Sequence, residues 1–149
     1  MANIIILVGT ESGNSQMVAD YLSDELTPQG HVIEVFDQAN LDEIAFATRD
    51  TVLVCTSTHG DGQMPCNLSD FFEQLQTQRP DLQHIRYGVI ALGDQTYHET
   101  FCRAGKLLDN LFAELGATRV GERLEIDACT QPLPDEDALE WATEWVDML

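Results

Sequence analysis

The feature that most limits the fold is a repeated alternation: short apolar runs, each followed by a segment whose apolar residues fall at helical spacing. Ile4-Ile5-Ile6-Leu7-Val8 is an unbroken apolar run closed by Gly9, and such a run reads as a strand buried on both faces. From Ser15 onward, Met17, Val18, Tyr21, Leu22 and Leu26 share one helical stripe, as an amphipathic helix requires. Thr27-Pro28-Gln29-Gly30 breaks it. His31 to Asp37 predicts a second strand, placed at a sheet edge by the Glu34 inside it, and Val52-Leu53-Val54-Cys55 predicts a central third. Leu68, Phe71, Phe72 and Leu75 mark the apolar face of the next helix, with Asn67 as its expected cap and Gln78-Arg79-Pro80 as its stop. Tyr87 to Leu92 predicts the fourth strand, ended by Gly93. Ala104, Leu107, Leu108, Leu111, Phe112 and Leu115 form a helical stripe ended by Gly116. Arg119 to Ile126 alternates roughly and predicts a fifth strand at the other edge. Pro132-Leu133-Pro134 reads as a loop, and Leu139, Ala142, Trp145, Val146 and Leu149 as the inner face of a last helix.

Strand then helix, about five times over, predicts an α/β fold with a doubly wound parallel sheet. Right-handed crossovers place helices on both faces. Central strands one, three and four with edge strands two and five predict the order 2-1-3-4-5. The 149 residues, 1–149, fit a single domain without a linker or repeat. No apolar run approaches the roughly 18 residues that span a bilayer. No Lys or Arg precedes the first apolar run, which argues against a secretory leader. Cys55, Cys66, Cys102 and Cys129 form no C-x-x-C pair and are expected to stay reduced, as core or loop residues in the cytoplasm.

Charge excludes further classes. With 26 acidic and 7 basic side chains the formal net charge is −19, which speaks against nucleic acid or an anionic membrane surface as partner. It favours a basic-faced protein partner, or simply keeps the protein in solution.

In sheets of this order a ligand sits beyond the carboxyl ends of the strands, near the switch point. The loops after strands one, three and four are all unusual. The first, Thr10-Glu11-Ser12-Gly13-Asn14-Ser15, runs from a strand straight into a helix N-terminus. Free N–H groups, hydroxyls and an amide there make an anion site that needs no Lys or Arg. It lacks the Lys of a Walker A loop and is not G-x-G-x-x-G; ordinary helix capping would also explain its composition. The second, Thr56-Ser57-Thr58-His59-Gly60-Asp61-Gly62, puts small hydroxyl residues before one ring and two glycines around an acid. A flexible turn before a capped helix explains it equally well. The third contains Leu92, Gly93, Asp94, Tyr97, Phe101 and Cys102. Tyr97 can stack on a planar ligand, whereas Phe101 fits the core.

Taken in order, these loops resemble those of the short-chain flavodoxins, of the YqcA and MioC types. The phosphate loop T-x-[ST]-G-x-[ST] matches Thr10 to Ser15, the S-T-aromatic-G-D/E-G loop matches Ser57 to Gly62, and the G-D-x-x-Y loop matches Gly93 to Tyr97, with Phe101-Cys102 beyond it. The resemblance extends over essentially the whole chain. It implies a flavodoxin-like three-layer sandwich, one noncovalently bound FMN, and one-electron transfer by a monomer rather than an enzyme with its own substrate. The first loop would hold the phosphate, and the second and third the ring, with Tyr97 stacked on its outer face. Asp61 and Asp94 would disfavour the anionic reduced flavin and so give a low potential. A carbonyl at Gly60 would meet the flavin N5–H after rotation of the Gly60-Asp61 peptide. The implied partners are basic-faced redox proteins such as a flavodoxin or ferredoxin-NADP reductase. Two features depart from the family. His59 stands where Trp or Tyr is common, and an imidazole, whose unperturbed pKa is about 6.5, would make the low potential depend on pH. The stretch from Tyr97 to Phe101 is one residue longer than usual. A flavodoxin-like interaction protein with weak FMN binding is the alternative. A response-regulator receiver shares the strand order but needs an acidic pair after strand one and an Asp ending strand three, where Thr10-Glu11 and Thr56-Ser57 stand instead.

Overall fold

The computed structural model describes residues 3–9, 14–36, 44, 49–57, 66–93, 103–127 and 134–149. Its elements are β1 (Asn3–Gly9), α1 (Asn14–Leu26), β2 (Val32–Phe36), β3 (Thr51–Ser57), α2 (Cys66–Gln78), β4 (Arg86–Gly93), α3 (Arg103–Glu114), β5 (Thr118–Arg119), β6 (Leu124–Asp127) and α4 (Pro134–Asp147). A single 3₁₀ turn, Thr27–Gln29, follows α1, and Gly30 at φ 100° closes it in the left-handed region. All strand pairs are parallel, in the order β2-β1-β3-β4, with β5 and β6 both on the outer side of β4.

Alternation along the strands sorts the core into two layers. Ile5 and Leu7 of β1, Val52 and Val54 of β3, and Tyr87, Val89 and Ala91 of β4 face α2 and α3. Ile4, Ile6 and Val8, Leu53 and Cys55, and Ile90 and Leu92 face α1 and α4. The continuous apolar runs of the central strands follow from burial on both sides. Cys55 lies in the second layer, and burial pushes its thiol up to about 12, which leaves it chemically inert.

Several expectations change in detail. Met17 is 48% exposed; the buried stripe of α1 is Val18, Ala19, Leu22 and Leu26, and Met17 falls outside it. α2 begins at Cys66, so Asn67 is its second residue and not the residue before it. Pro134 is the first residue of α4 rather than part of the loop, where its fixed φ and missing N–H cost nothing. That helix ends at Asp147, so Leu149 packs on the core from beyond it.

The largest correction is the fifth strand. Arg119 to Ile126 is not one strand but two segments. Tyr87 pairs with Arg119 and Ile90 with Leu124. Two residues of β4 thus face four of the edge, and the extra pair bulges out where Gly121 takes φ 71°. On one side, the Trp141 indole N–H donates to the Glu122 carbonyl at 3.1 Å. Trp141 stacks on Trp145 at 5.7 Å and 14°. Trp145 in turn lies over Gly88, where a Cβ would come within 2.6 Å of its Nε1. On the other side sits Asp109 of α3, only 3% exposed. The Tyr87 hydroxyl donates to its Oδ1 at 2.6 Å. Arg119 and Arg123 donate to its Oδ2 at 2.7 and 2.6 Å. Burial alone would raise the Asp109 pKa, but these three hydrogen bonds hold it below the usual carboxylate range. The Tyr87 hydroxyl is pushed up by burial and by the carboxylate it meets. Arg123 also donates to Glu125 at 3.0 Å, with Lys106 at 3.8 Å from the same oxygen.

Candidate functional site

Parallel register brings the carboxyl ends of the central strands to one rim. Gly9 is level with Thr56, Thr56 with Ala91, Ser57 with Leu92, and Gly93 with Asp127. The three loops singled out by sequence therefore leave the sheet side by side. Residues 10–13 join β1 to α1, residues 58–65 join β3 to α2, and residues 94–102 join β4 to α3. The first is four residues long, so α1 starts almost directly from the end of the central strand. None of α1, α2 and α3 carries an acidic residue in its first turn, although the chain has 26. Their positive dipole ends thus meet no carboxylate from their own first turns. Backbone N–H groups at such helix ends suit a phosphate-bearing group.

Of the residues expected at the site, Asn14 and Ser15 are the first two of α1. Ser57 and Gly93 are the last residues of β3 and β4. Thr56 is fully buried, on the face that β3 turns to α2. Leu92 is buried in the layer facing α1 and α4. Both are beneath the rim and support it. Thr10, Glu11, Ser12, Gly13, Thr58, His59, Gly60, Asp61, Asp94, Tyr97, Phe101 and Cys102 lie outside the described residues.

Gly9 was read from sequence only as the end of a strand. A Cβ there would fall 2.9 Å from the Leu68 Cγ and closer still to Leu68 Cδ1 and Thr56 Oγ1. The signal available in sequence was a glycine directly before the loop, in an otherwise unbroken apolar run.

The chain matches the family model described as Flavodoxin over residues 6–141. It is 40% identical to Flavodoxin YqcA of Pectobacterium carotovorum subsp. carotovorum over 149 residues, covering 100% of this chain and 98% of that protein. It is 38% identical to Protein MioC of Escherichia coli over 152 residues, covering 100% and 99%. Among solved structures, a cysteine-to-serine mutant of the flavodoxin from Pseudomonas aeruginosa aligns with a TM-score of 0.92 at 33% identity, over 99% of this chain and 98% of that one. With a matching sheet order, a rim of three strand-end loops and relatives covered end to end, the chain belongs to the flavodoxin family of FMN-binding electron carriers.

Proposed function

We propose that this flavodoxin carries single electrons at low potential between a reductase and acceptor proteins, with no substrate of its own to transform. One observation carries the reading: β1, β3 and β4 end in register, so the three segments that resemble the family's FMN loops start from one rim. Bound FMN would supply the redox chemistry. The phosphate would be held by Thr10, Glu11, Ser12, Gly13, Asn14 and Ser15, through N–H groups, hydroxyls and the Asn14 amide. Ser57, Thr58, His59, Gly60, Asp61, Gly93, Asp94, Tyr97, Phe101 and Cys102 would surround the ring, with Thr56 and Leu92 packed below. Asp61 and Asp94 would make negative charge at the ring costly and so lower its potential.

Partners would be basic-faced redox proteins of the flavodoxin or ferredoxin-NADP reductase type. α1 carries three acidic residues and α4 six, with no Lys or Arg in either, and such a surface speeds encounter with a basic one. The reading takes 1–149 as one domain acting as a monomer in the cytoplasm; no helix among the described residues is long and apolar enough to cross a membrane.

The test is a titration of flavin-free protein with FMN, followed by flavin fluorescence, and then a reductive titration followed by visible absorbance. Saturable quenching at one FMN per chain and electron uptake in two separate one-electron steps are expected. Absence of quenching would overturn the carrier reading and favour an interaction protein.

A further inference from the structure

We propose that Gly9, Thr56 and Leu68 form one packed node that positions both the first and the second loop of the FMN site, so that side-chain volume at position 9 controls flavin affinity. The proposal rests on the FMN reading above and adds a positioning role for Gly9 and Leu68.

The three residues flank the two loops. Gly9 is the last residue of β1 and directly precedes loop 10–13. Thr56 is level with Gly9 on β3, two residues before loop 58–65. Leu68 is the third residue of α2, just after that same loop. One contact point thus lies within three residues of the start of the first loop and of both ends of the second.

Gly9 is needed here for space and not for backbone freedom. Among the described residues the positive-φ glycines are Gly30, Gly116 and Gly121, and Gly9 is not one of them, so an alanine could adopt its conformation. The alanine methyl, however, would lie 2.9 Å from Leu68 Cγ and would overlap Leu68 Cδ1 and Thr56 Oγ1. Neither neighbour can give way cheaply. Thr56 and Leu68 are both 0% exposed. Thr56 is β-branched, hence stiff at χ1, and sits on a strand paired on both sides. Leu68 belongs to the buried cluster with Phe71 and Leu75. Close-packed interiors transmit such an overlap as displacement. The displacement must fall on the end of β1 or on the first turn of α2, and each carries a loop end.

The experiment measures FMN dissociation constants by fluorescence quenching, and urea midpoints, for the full chain and four variants: Gly9→Ala, Leu68→Val, the Gly9→Ala/Leu68→Val pair, and Gly88→Ala. Gly88 is a control because its added methyl also meets a buried side chain, Trp145, but near the amino end of β4. Gly9→Ala is expected to weaken FMN binding about tenfold or more, the equivalent of a single overpacked methyl. Leu68→Val removes the Cδ1 that the methyl would strike and leaves the overlap with Thr56 Oγ1, so the double variant should regain part of the affinity and bind FMN at least about threefold more tightly than Gly9→Ala. Gly88→Ala should lower the urea midpoint while leaving FMN affinity within about threefold of wild type. A folded Gly9→Ala that binds FMN like wild type overturns the node and leaves the FMN reading intact. So does a Gly88→Ala that weakens FMN as much as Gly9→Ala, because the effect is then general instability. If Gly9→Ala does not fold, the double variant decides: restored binding supports the node, and an unfolded or non-binding double variant overturns it. A wild-type chain that binds no FMN removes the functional reading itself, and the node with it.

Discussion

The two helical layers hold the same sheet by different means. On one side α1 and α4 meet the strands through apolar side chains, with the Trp145 indole as the largest of them, while their sequences carry nine acidic residues and no Lys or Arg. On the other side α2 and α3 also pack through Phe71, Phe112 and leucines, but Asp109 adds a buried charge that takes hydrogen bonds from Tyr87, Arg119 and Arg123. The chain has only seven basic residues. Two of them meet on one interior carboxylate, whereas the helices α1 and α4 contain none. The difference is that a buried charge paired to two arginines secures the irregular edge on one side, while on the other apolar burial holds two acidic helices to the sheet against their like-charge repulsion.

The largest effect should come from breaking the apolar layer. Trp145→Ala empties a fully buried site and is expected to cost about 3–5 kcal/mol in a urea unfolding curve. Trp145→Phe sharpens the point. The indole N–H is buried with no hydrogen-bond partner among the described residues, so its removal should offset part of the lost packing and hold the cost to about 1 kcal/mol. A Phe variant as damaged as the Ala variant would show that this N–H is satisfied in solution.

Next in size is the charged layer. Asp109→Asn keeps the shape but loses the charge, and should cost about 2 kcal/mol at neutral pH; the figure stays modest because the Arg119 and Arg123 side chains remain 40% and 24% exposed and can turn to water. The sign of the pH dependence follows from the lowered Asp109 pKa. The stabilisation is complete above the unfolded value of about 3.9 and is lost as pH falls through the lower folded value. Urea midpoints of wild type and Asp109→Asn should therefore converge below about pH 4. A constant gap down to the acid limit would rule Asp109 out as the titrating group.

The smallest effect separates the layers without mutation. Added salt should stabilise the wild type by about 1 kcal/mol or less by screening a net charge of −19. The contribution of Asp109, measured as the gap to Asp109→Asn, should barely change because the carboxylate is buried. A gap that closes with salt would place that pairing at the surface.

How far these layers were legible in the sequence depended on whether a signal was local. Unbroken runs such as Ile4 to Val8 and Val52 to Cys55 report burial on both faces, so strand order and the shared rim followed from pattern alone. The split of the last strand did not. Val120, Leu124 and Ile126 fall on alternate-residue spacing to either side of Gly121, with only Glu122 out of step, and nothing in that rhythm encodes a left-handed turn. Asp109 was hidden for a related reason. Beside Leu108 and ahead of Leu111 it looks like the polar flank of a stripe, and its burial depends on Tyr87, 22 residues earlier. Met17 joins the α1 stripe in the sequence because it is apolar, whereas Val18, Leu22 and Leu26, spaced by four, fix the buried line and leave it outside. At the site, the loops stand out in the sequence by their motifs, but the space at Gly9 depends on Leu68, which no local pattern connects to it.

The interrupted outer strand has a consequence for encounters between copies of this molecule. A sheet edge recruits another chain when it offers a continuous row of N–H and C=O groups in step with a partner strand. Here that row is two residues at Thr118–Arg119 and four at Leu124–Asp127, thrown out of step by a bulge. No straight strand can dock along both segments at once. The cations and indoles that hold the bulge in place therefore also prevent this edge from serving as a template for edge-to-edge aggregation.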